Sequence, residues 1–367
     1  MKSTLSSRWN ESLRIVWAIA AKDIVDAIKN KTTISVILGI GMMMLSSQAL
    51  PLLLRIKSTP TAVIYDAGES GFIDEMANKK DYRLREVPSQ QMMEKVLTEA
   101  SETQLGLVLP ADLRPIQQTE GRVVLDGFAA YWARPSEVIK LVEFFEGQLG
   151  ELVGAPVRID HESNIVYPVP DSEGRLSMIS LSLVLVINII GVFLVPYLML
   201  EEKEKHTMEA LLVSPASYGQ MVLGKAIAGS FYCLTAAVVV FAFNLSMVNQ
   251  WGIALLAVIC GSLFAVAVGL LLGTLFDNPG TMNLWVSFVI LVLLASTFLE
   301  QFVGPSWPPI IQTLIPWLPT VAMSNVIRIS FSDSTYLNLI LPSLGVILGV
   351  SFLLLAVVVT KVRRMDR

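Results

Sequence analysis

Residues 201–217 read EEKEKHTMEALLVSPAS, a charged insert held between two apolar runs of membrane length. Residues 176–200 precede it and the apolar stretch 226–248 follows it. A loop this short cannot bury a core of its own, so it is a surface element. Thr207 can cap a helix, because its hydroxyl accepts from the free N–H groups of a first turn. Glu209 then brings negative charge to the positive end of the helix dipole. Met208, Leu211 and Leu212 fall at i, i+3 and i+4 and make one apolar face. Ser214-Pro215 ends the helix, since the residue before proline is pushed out of the α region. The pattern predicts a short helix at the membrane surface with an apolar face available for contact. The competing reading is a solvated loop whose leucines dip into the headgroups.

Of the 367 residues, 53% are hydrophobic and 16% charged, and apolar runs of spanning length recur. That composition describes a polytopic α-helical membrane protein. Charge is segregated: residues 57–175 hold 12 Lys/Arg against 20 Asp/Glu, a net of −8 in a chain of total −4. So acidic a water-facing segment argues against nucleic acid as a partner. The two cysteines, Cys233 and Cys260, sit in apolar runs, and His161 and His206 are the only histidines. A disulfide framework and a His/Cys metal site are both excluded on that count.

Residues 1–32 carry Lys2, Arg8, Arg14, Lys22, Lys29 and Lys31, with Leu5, Trp9, Leu13, Val16, Ala20, Ile24 and Ile28 at helical spacing. This predicts a cytoplasmic amphipathic helix in the membrane interface, with Trp9 and Trp17 at headgroup depth, rather than a cleavable leader. Residues 33–56 hold the first predicted transmembrane helix, whose Gly39 and Gly41 permit close helix packing. Residues 57–175 then change character. Predicted strands at 61–65, 82–87, 106–109 and 122–128 alternate with helices at 72–79, 89–100 and 136–153, an α/β domain inserted between the first and second spans. Asp66, Glu69, Asp74 and Glu75 read as a solvated helix start.

The remainder, 176–367, is a five-helix transmembrane region. The span at 176–200 carries Asn188 near its middle, and Pro196 is expected to kink it. Lys225 is placed at the interface, and the span at 226–248 carries Thr235 and Asn244. Amides at such depth face other helices or a wet path, so Asn188, Thr235 and Asn244 are the candidate pathway residues. A tight turn at 249–252 leads to 253–276, where Gly261, Ser262, Ala265, Ala267, Gly269 and Gly273 allow close packing. A break at 277–280 precedes the span 281–302, which carries Glu300 near its end. Five prolines break 304–336 into what reads as a re-entrant or interfacial helical pair on the outer side. The last span is 337–359, anchored by Lys361, Arg363, Arg364 and Arg367. Both ends of the chain are basic, while 249–252 has no Lys/Arg and 304–336 only Arg328. The positive-inside rule therefore puts both termini in the cytoplasm. Six spans place 57–175 outside and 201–217 inside a plasma or inner membrane.

A run E-K/R-E-x-G-T-x-E-x-L-x-x-S/T-P-x-S directly after a transmembrane helix is the signature that 201–217 resembles, that of the ABC type-2 exporter permeases. Glu202-Lys203-Glu204, Thr207, Glu209, Leu211-Leu212, Ser214-Pro215 and Ser217 match, and His206 stands where the family has glycine. The amino-terminal helix, the phrases VIYDAGESG and GLVLPADL, and IPWLPTVAMSNVIRIS before the last helix are similar to Nat-type and multidrug-type permeases with a large extracytoplasmic domain. The resemblance implies that the short helix is a coupling helix docked on a separate ABC ATPase subunit. Its coupling residues would be Glu202, Glu204, Thr207, Met208, Glu209, Leu211, Leu212 and Pro215. It also implies a dimer of permeases, as a homodimer or with a paralogue, two ATPase subunits below it, a pathway at its midline, and membrane lipid as a further partner. The cargo expected from it is an amphipathic small molecule, peptide or lipid, or sodium. GxxxxGK[ST] does not occur, so ATP and Mg would be held by the partner, and this chain would bind no cofactor and would not be an enzyme. Two alternatives stay open: a membrane-anchored sensor or scaffold using 57–175 to bind a ligand, and a membrane-embedded enzyme. The second lacks a paired-acid or Ser/His arrangement within its spans.

Overall fold

The computed structural model describes residues 2–29, 34–35, 39, 41–42, 61–68, 83–99, 103–111, 123–170, 172, 174–204, 217–302 and 307–365. The predicted first span, the helix at 72–79 and residues 205–216 of the insert lie outside them, apart from the few positions named within 33–54.

Helix α1 (Lys2–Lys29) is the amino-terminal amphipathic helix. Its buried face is Val16, Ile19, Ala20 and Asp23, whereas Leu13, Trp17 and Ile28 are exposed. Of the predicted apolar stripe, Val16 and Ala20 are packed, whereas Leu13 and Ile28 are not. The packed face rests on α6 (Tyr218–Phe243), where Gly224 has no side chain to hold Val16 and Ile19 away. Exposed Leu13, Trp17, Val25 and Ile28 remain for an apolar surrounding.

Residues 61–166 carry a six-stranded mixed sheet in the order β2-β1-β3-β4-β5, with β6 also pairing β4. Strand β1 (Thr61–Asp66) lies parallel to β2 (Arg83–Glu86) and to β3 (Thr103–Leu109). Antiparallel to β3 runs β4 (Val123–Ala130), which pairs in parallel with β5 (Val157–Asp160) and β6 (Ile165–Val166). Alternation along β1 sorts its side chains between two layers. Val63 joins Met93 and Leu97 of α2 (Gln90–Glu99), while Ala62 and Ile64 join Phe145 and Leu149 of α3 (Pro135–Val153). Helices cover both faces, which is why the centre of β1 is continuously apolar. Ser89 caps α2 by accepting from the Met92 N–H at 3.2 Å. Asp66 closes the turn at the end of β1 by accepting from the Gly68 N–H at 3.1 Å. Strands β5 and β6 escape the sequence reading because they are only four and two residues long. The Glu146 carboxylate secures β5 to α3 by accepting from the Ile159 N–H at 2.8 Å.

Among the described residues five helices are long and apolar enough to cross a membrane: 176–201, 218–243, 251–275, 279–300 and 337–364. The first begins as α4 (Arg175–Ile189), passes through a π turn at Ile190–Leu194 and continues as α5 (Val195–Glu204). The π turn stands just before Pro196, where the sequence leads to the expectation of a kink. Proline lacks an N–H and crowds the carbonyl four residues back, and the wide π turn just before it absorbs that misfit. Next come α6, α7 (Trp251–Leu275) and α8 (Pro279–Phe302). The α6 helix starts and ends earlier than 226–248, and Asn244 is its C-cap rather than a residue inside a span. Likewise the turn before α7 is shorter than 249–252, because Trp251 and Gly252 are already helical. Its Asn249 and Gln250 N–H groups donate to the Ser330 carbonyl at 3.1 and 2.8 Å, tying the α6–α7 turn to the end of α10.

The proline-rich stretch forms α9 (Pro309–Leu314) and α10 (Pro319–Ile329), bent by 77° across a 3-10 turn at Ile315–Trp317. Counted as one broken span, the pair raises the number of crossings to six. Val321, Ala322, Val326 and Ile327 of α10 are wholly buried. Arg328 on α10 pairs with Glu300 of α8 and donates to Asn325 Oδ1 at 2.7 Å, so the guanidinium has its counter-charge beside it. The last helix is α11 (Leu337–Met365). At the centre, the π turn between α4 and α5 crosses α7 with almost no gap: a Cβ at Gly269 would collide with the Gly191 carbonyl oxygen. This is the close approach expected of the small residues on 253–276.

Candidate functional site

The two ends of the 201–217 insert are firmly held. On its entry side, α5 carries the Glu-Lys-Glu run as helix through Glu204. Lys203 reaches across to the end of α7, donating to the Thr274 and Phe276 carbonyls at 3.2 and 3.1 Å and to Asp277 Oδ1 at 2.7 Å. The last carbonyls of a helix lack intrahelical donors, and an ammonium is suited to both those orphans and the negative end of the dipole. Lys203 thus closes the end of α7 from a neighbouring helix.

On the exit side, Ser217 caps α6 in a reciprocal box. Its hydroxyl accepts from the Gln220 N–H at 3.3 Å, and its own N–H donates to Gln220 Oε1 at 2.7 Å. Gln220 Nε2 then donates to Ser12 Oγ on α1 at 2.7 Å. Two turns further along, Lys225 is fully buried among the helices. Its ammonium donates to Asp23 Oδ2 on α1 and to the Leu198 carbonyl on α5, both at 3.1 Å. Tyr232 adds a hydrogen bond from its hydroxyl to the Ile24 carbonyl at 2.6 Å. Four elements, α1, α5, α6 and the α7–α8 turn, therefore meet around the ends of the insert. A lone buried charge would cost several kcal/mol, so the ion pair commits α1 to stay with α6.

The predicted site residues divide into three groups. Thr207, Met208, Glu209, Leu211, Leu212 and Pro215 lie outside the described residues. Glu202 and Glu204 are on the last turn of α5. Asn188, Thr235 and Asn244 each donate to, or bond, a carbonyl four residues back on their own helix: Val184, Phe231 and Val240. Those bonds do not bring the three together. Asn188 and Asn244 are buried within the chain, and Thr235 is exposed. Asn188 Oδ1 is buried with no hydrogen-bond partner among the described residues, two residues before the π segment.

Asp23 and the clamp made by Lys203 were missed by sequence reasoning. For Asp23 a signal existed: it lies at i+3 from Ala20 and i+7 from Val16, so a carboxylate falls on the greasy face and requires a partner. For Lys203 none existed, because its acceptors are backbone carbonyls more than 70 residues away.

Comparison with known proteins agrees with this architecture. The family described as ABC-2 family transporter protein matches residues 32–360. Among curated proteins there is no significant match. A family match over most of the length, on a helical chain with several spanning helices, makes this a multi-pass membrane protein and a permease, the membrane subunit of an ABC transporter rather than its catalytic part. The chain belongs to the ABC-2 transporter family.

Proposed function

We propose that the chain is the membrane subunit of an ATP-driven exporter and that 201–217 is its coupling segment. The observation that carries this reading is the double fastening of the insert, by Lys203 at one end and by Ser217 and the Lys225–Asp23 pair at the other. A push applied between two such anchors is passed to α1, α5, α6 and the α7–α8 turn as one body. A solvated loop has no need of that. ATP and its magnesium belong to the partner ATPase, expected in two copies beneath a permease dimer. Both termini and the insert face the cytoplasm, and 57–175 lies outside the cell membrane, gating or handing on cargo. The cargo is an amphipathic small molecule, peptide or lipid, with sodium as the second choice.

Replacing Leu211 and Leu212 by aspartate tests the reading. Each leucine contributes burial of about 1.5–3 kcal/mol if it fills a groove on the ATPase, and the new charge opposes that contact. Membrane insertion is expected to persist while ATPase subunits bind weakly or hydrolyse ATP without moving cargo. Normal co-purification with normal cargo-stimulated hydrolysis would contradict it.

A further inference from the structure

At the end of the bundle from which the sheet unit emerges, a half-open groove of about 270 Å³ lies between the α9–α10 bend, α10 and the first turns of α11. Pro170, in the chain that returns from the sheet, forms part of its rim. The walls are apolar: Pro316 and Trp317 at the bend, Ile329 on α10, and Leu339, Pro342 and Val346 on α11. Into these walls are set three polar side chains, Asn325, Asn338 and Ser343.

The hydrogen-bonding state of those groups defines what they can accept. Ser343 is 9% exposed, and its hydroxyl makes no hydrogen bond among the described residues, although a helical serine ordinarily bonds a carbonyl one turn back. Asn325 Oδ1 is committed to Arg328, which leaves its amide N–H groups to donate. Pro342 lies inside α11 and has no N–H, so it cannot donate to the Asn338 carbonyl four residues earlier. The groove therefore presents donors and an acceptor deprived of its helical donor within one short stretch of apolar wall. Charge does not decide the occupant, because Arg328 is already paired with Glu300.

A hydroxyl suits this arrangement better than other head groups. It accepts from Ser343 or Asn325 and donates to a carbonyl, and it brings no charge into a neutralised region. The volume is below that of most drug-sized pockets, about 300–1,000 Å³, so it takes one short chain or ring rather than a whole lipid. We propose that this groove is a binding site for a hydroxyl-bearing amphiphile. Under the export reading, on which only this role depends, it is a cargo subsite on the non-cytoplasmic side.

The full chain in lipid nanodiscs tests binding without any ATPase, using bromohexanol to quench tryptophan fluorescence and bromohexane as the analogue without the hydroxyl. Trp317 is exposed on the groove, so its replacement by phenylalanine should leave the fold unchanged. The expected result is a saturable quenching component that disappears in Trp317→Phe. Bromohexane should bind about tenfold more weakly, the worth of one hydrogen bond. Asn338→Ala, at an exposed position, and Ser343→Leu, which fills the groove, should each weaken or abolish the saturable component. Quenching that rises linearly with probe, that persists in Trp317→Phe, or that does not favour the alcohol overturns the proposal. Because transport is not the readout, such a failure leaves the export reading standing. Failure of the leucine pair at the coupling segment likewise leaves binding intact.

Discussion

The Lys225 ammonium lies 3.1 Å from Asp23 Oδ2, with the lysine side chain fully buried and the aspartate 6% exposed. One residue sits on the amino-terminal helix and the other on α6, 202 positions later. Two charges removed from water this completely gain little net stability from each other, yet each is costly without its partner. The pair therefore acts as a constraint on arrangement: α1 cannot leave α6 without exposing or stranding a charge.

A double-mutant cycle measures that constraint. Lys225→Met alone leaves a buried carboxylate unpaired and is expected to cost about 3–5 kcal/mol. Adding Asp23→Leu removes the stranded charge, so the double variant should be more stable than the Lys225→Met single one. Thermal unfolding of the purified permease provides the comparison. Single and double losses that simply add would show that the two groups are not coupled.

Lys203 should owe its effect to the carbonyls of α7 rather than to its ion pair. Asp277 is 80% exposed, and exposed pairs contribute at most about 1 kcal/mol. Asp277→Asn is accordingly expected to be nearly silent. Lys203→Met keeps the apolar stem but removes the donors to Thr274 and Phe276, and amide exchange at the start of α8 should quicken with a fall in transport. Lys203→Arg should restore part of both. Unaltered exchange in the methionine variant would remove Lys203 from the coupling route.

Asn188 carries a buried carbonyl oxygen without a partner among the described residues. Leucine at that position is close in size and removes the unsatisfied acceptor, whose burial costs about 1–3 kcal/mol. Asn188→Leu is expected to hold or raise the melting temperature and, if the oxygen serves a cargo path, to lower transport. A variant that is stable and transports normally would assign Asn188 no role beyond packing.

The contact between the π turn and α7 separates tolerated from forbidden changes at glycine. Gly269→Val should abolish folded yield, since its Cβ collides with the Gly191 carbonyl oxygen, which belongs to backbone and cannot rotate away. Gly345→Ala on α11 meets nothing within 4 Å and should be neutral or stabilising by up to about 1 kcal/mol. Expression followed by size-exclusion profiles distinguishes them.

Sidedness is open to cysteine labelling, with Cys233 and Cys260 buried and silent. Glu162→Cys should react with an impermeant maleimide added to intact cells, and Asp277→Cys should react only after permeabilisation. Labelling of both from outside would reverse or break the orientation proposed.

What the sequence determined by itself was whatever local chemistry and periodicity dictate. Apolar runs of spanning length, the Ser89 position beside a helix start, and the small-residue face of 253–276 are readable because each depends on neighbours a turn away. The family was legible for the same reason, in the seventeen residues of EEKEKHTMEALLVSPAS. Tertiary structure alone decided the pairings of distant residues. Asp23 meets Lys225, Glu300 meets Arg328, and Lys203 finds the carbonyls of Thr274 and Phe276 only once the helices have packed. On α1 the sequence placed Val16 and Ala20 on the apolar face but not Ile19, whose burial rests on where Gly224 of α6 lets the helix approach. A charge in a sequence shows only that a partner or water is required; which of the two it has is settled by the packing that excludes solvent around it.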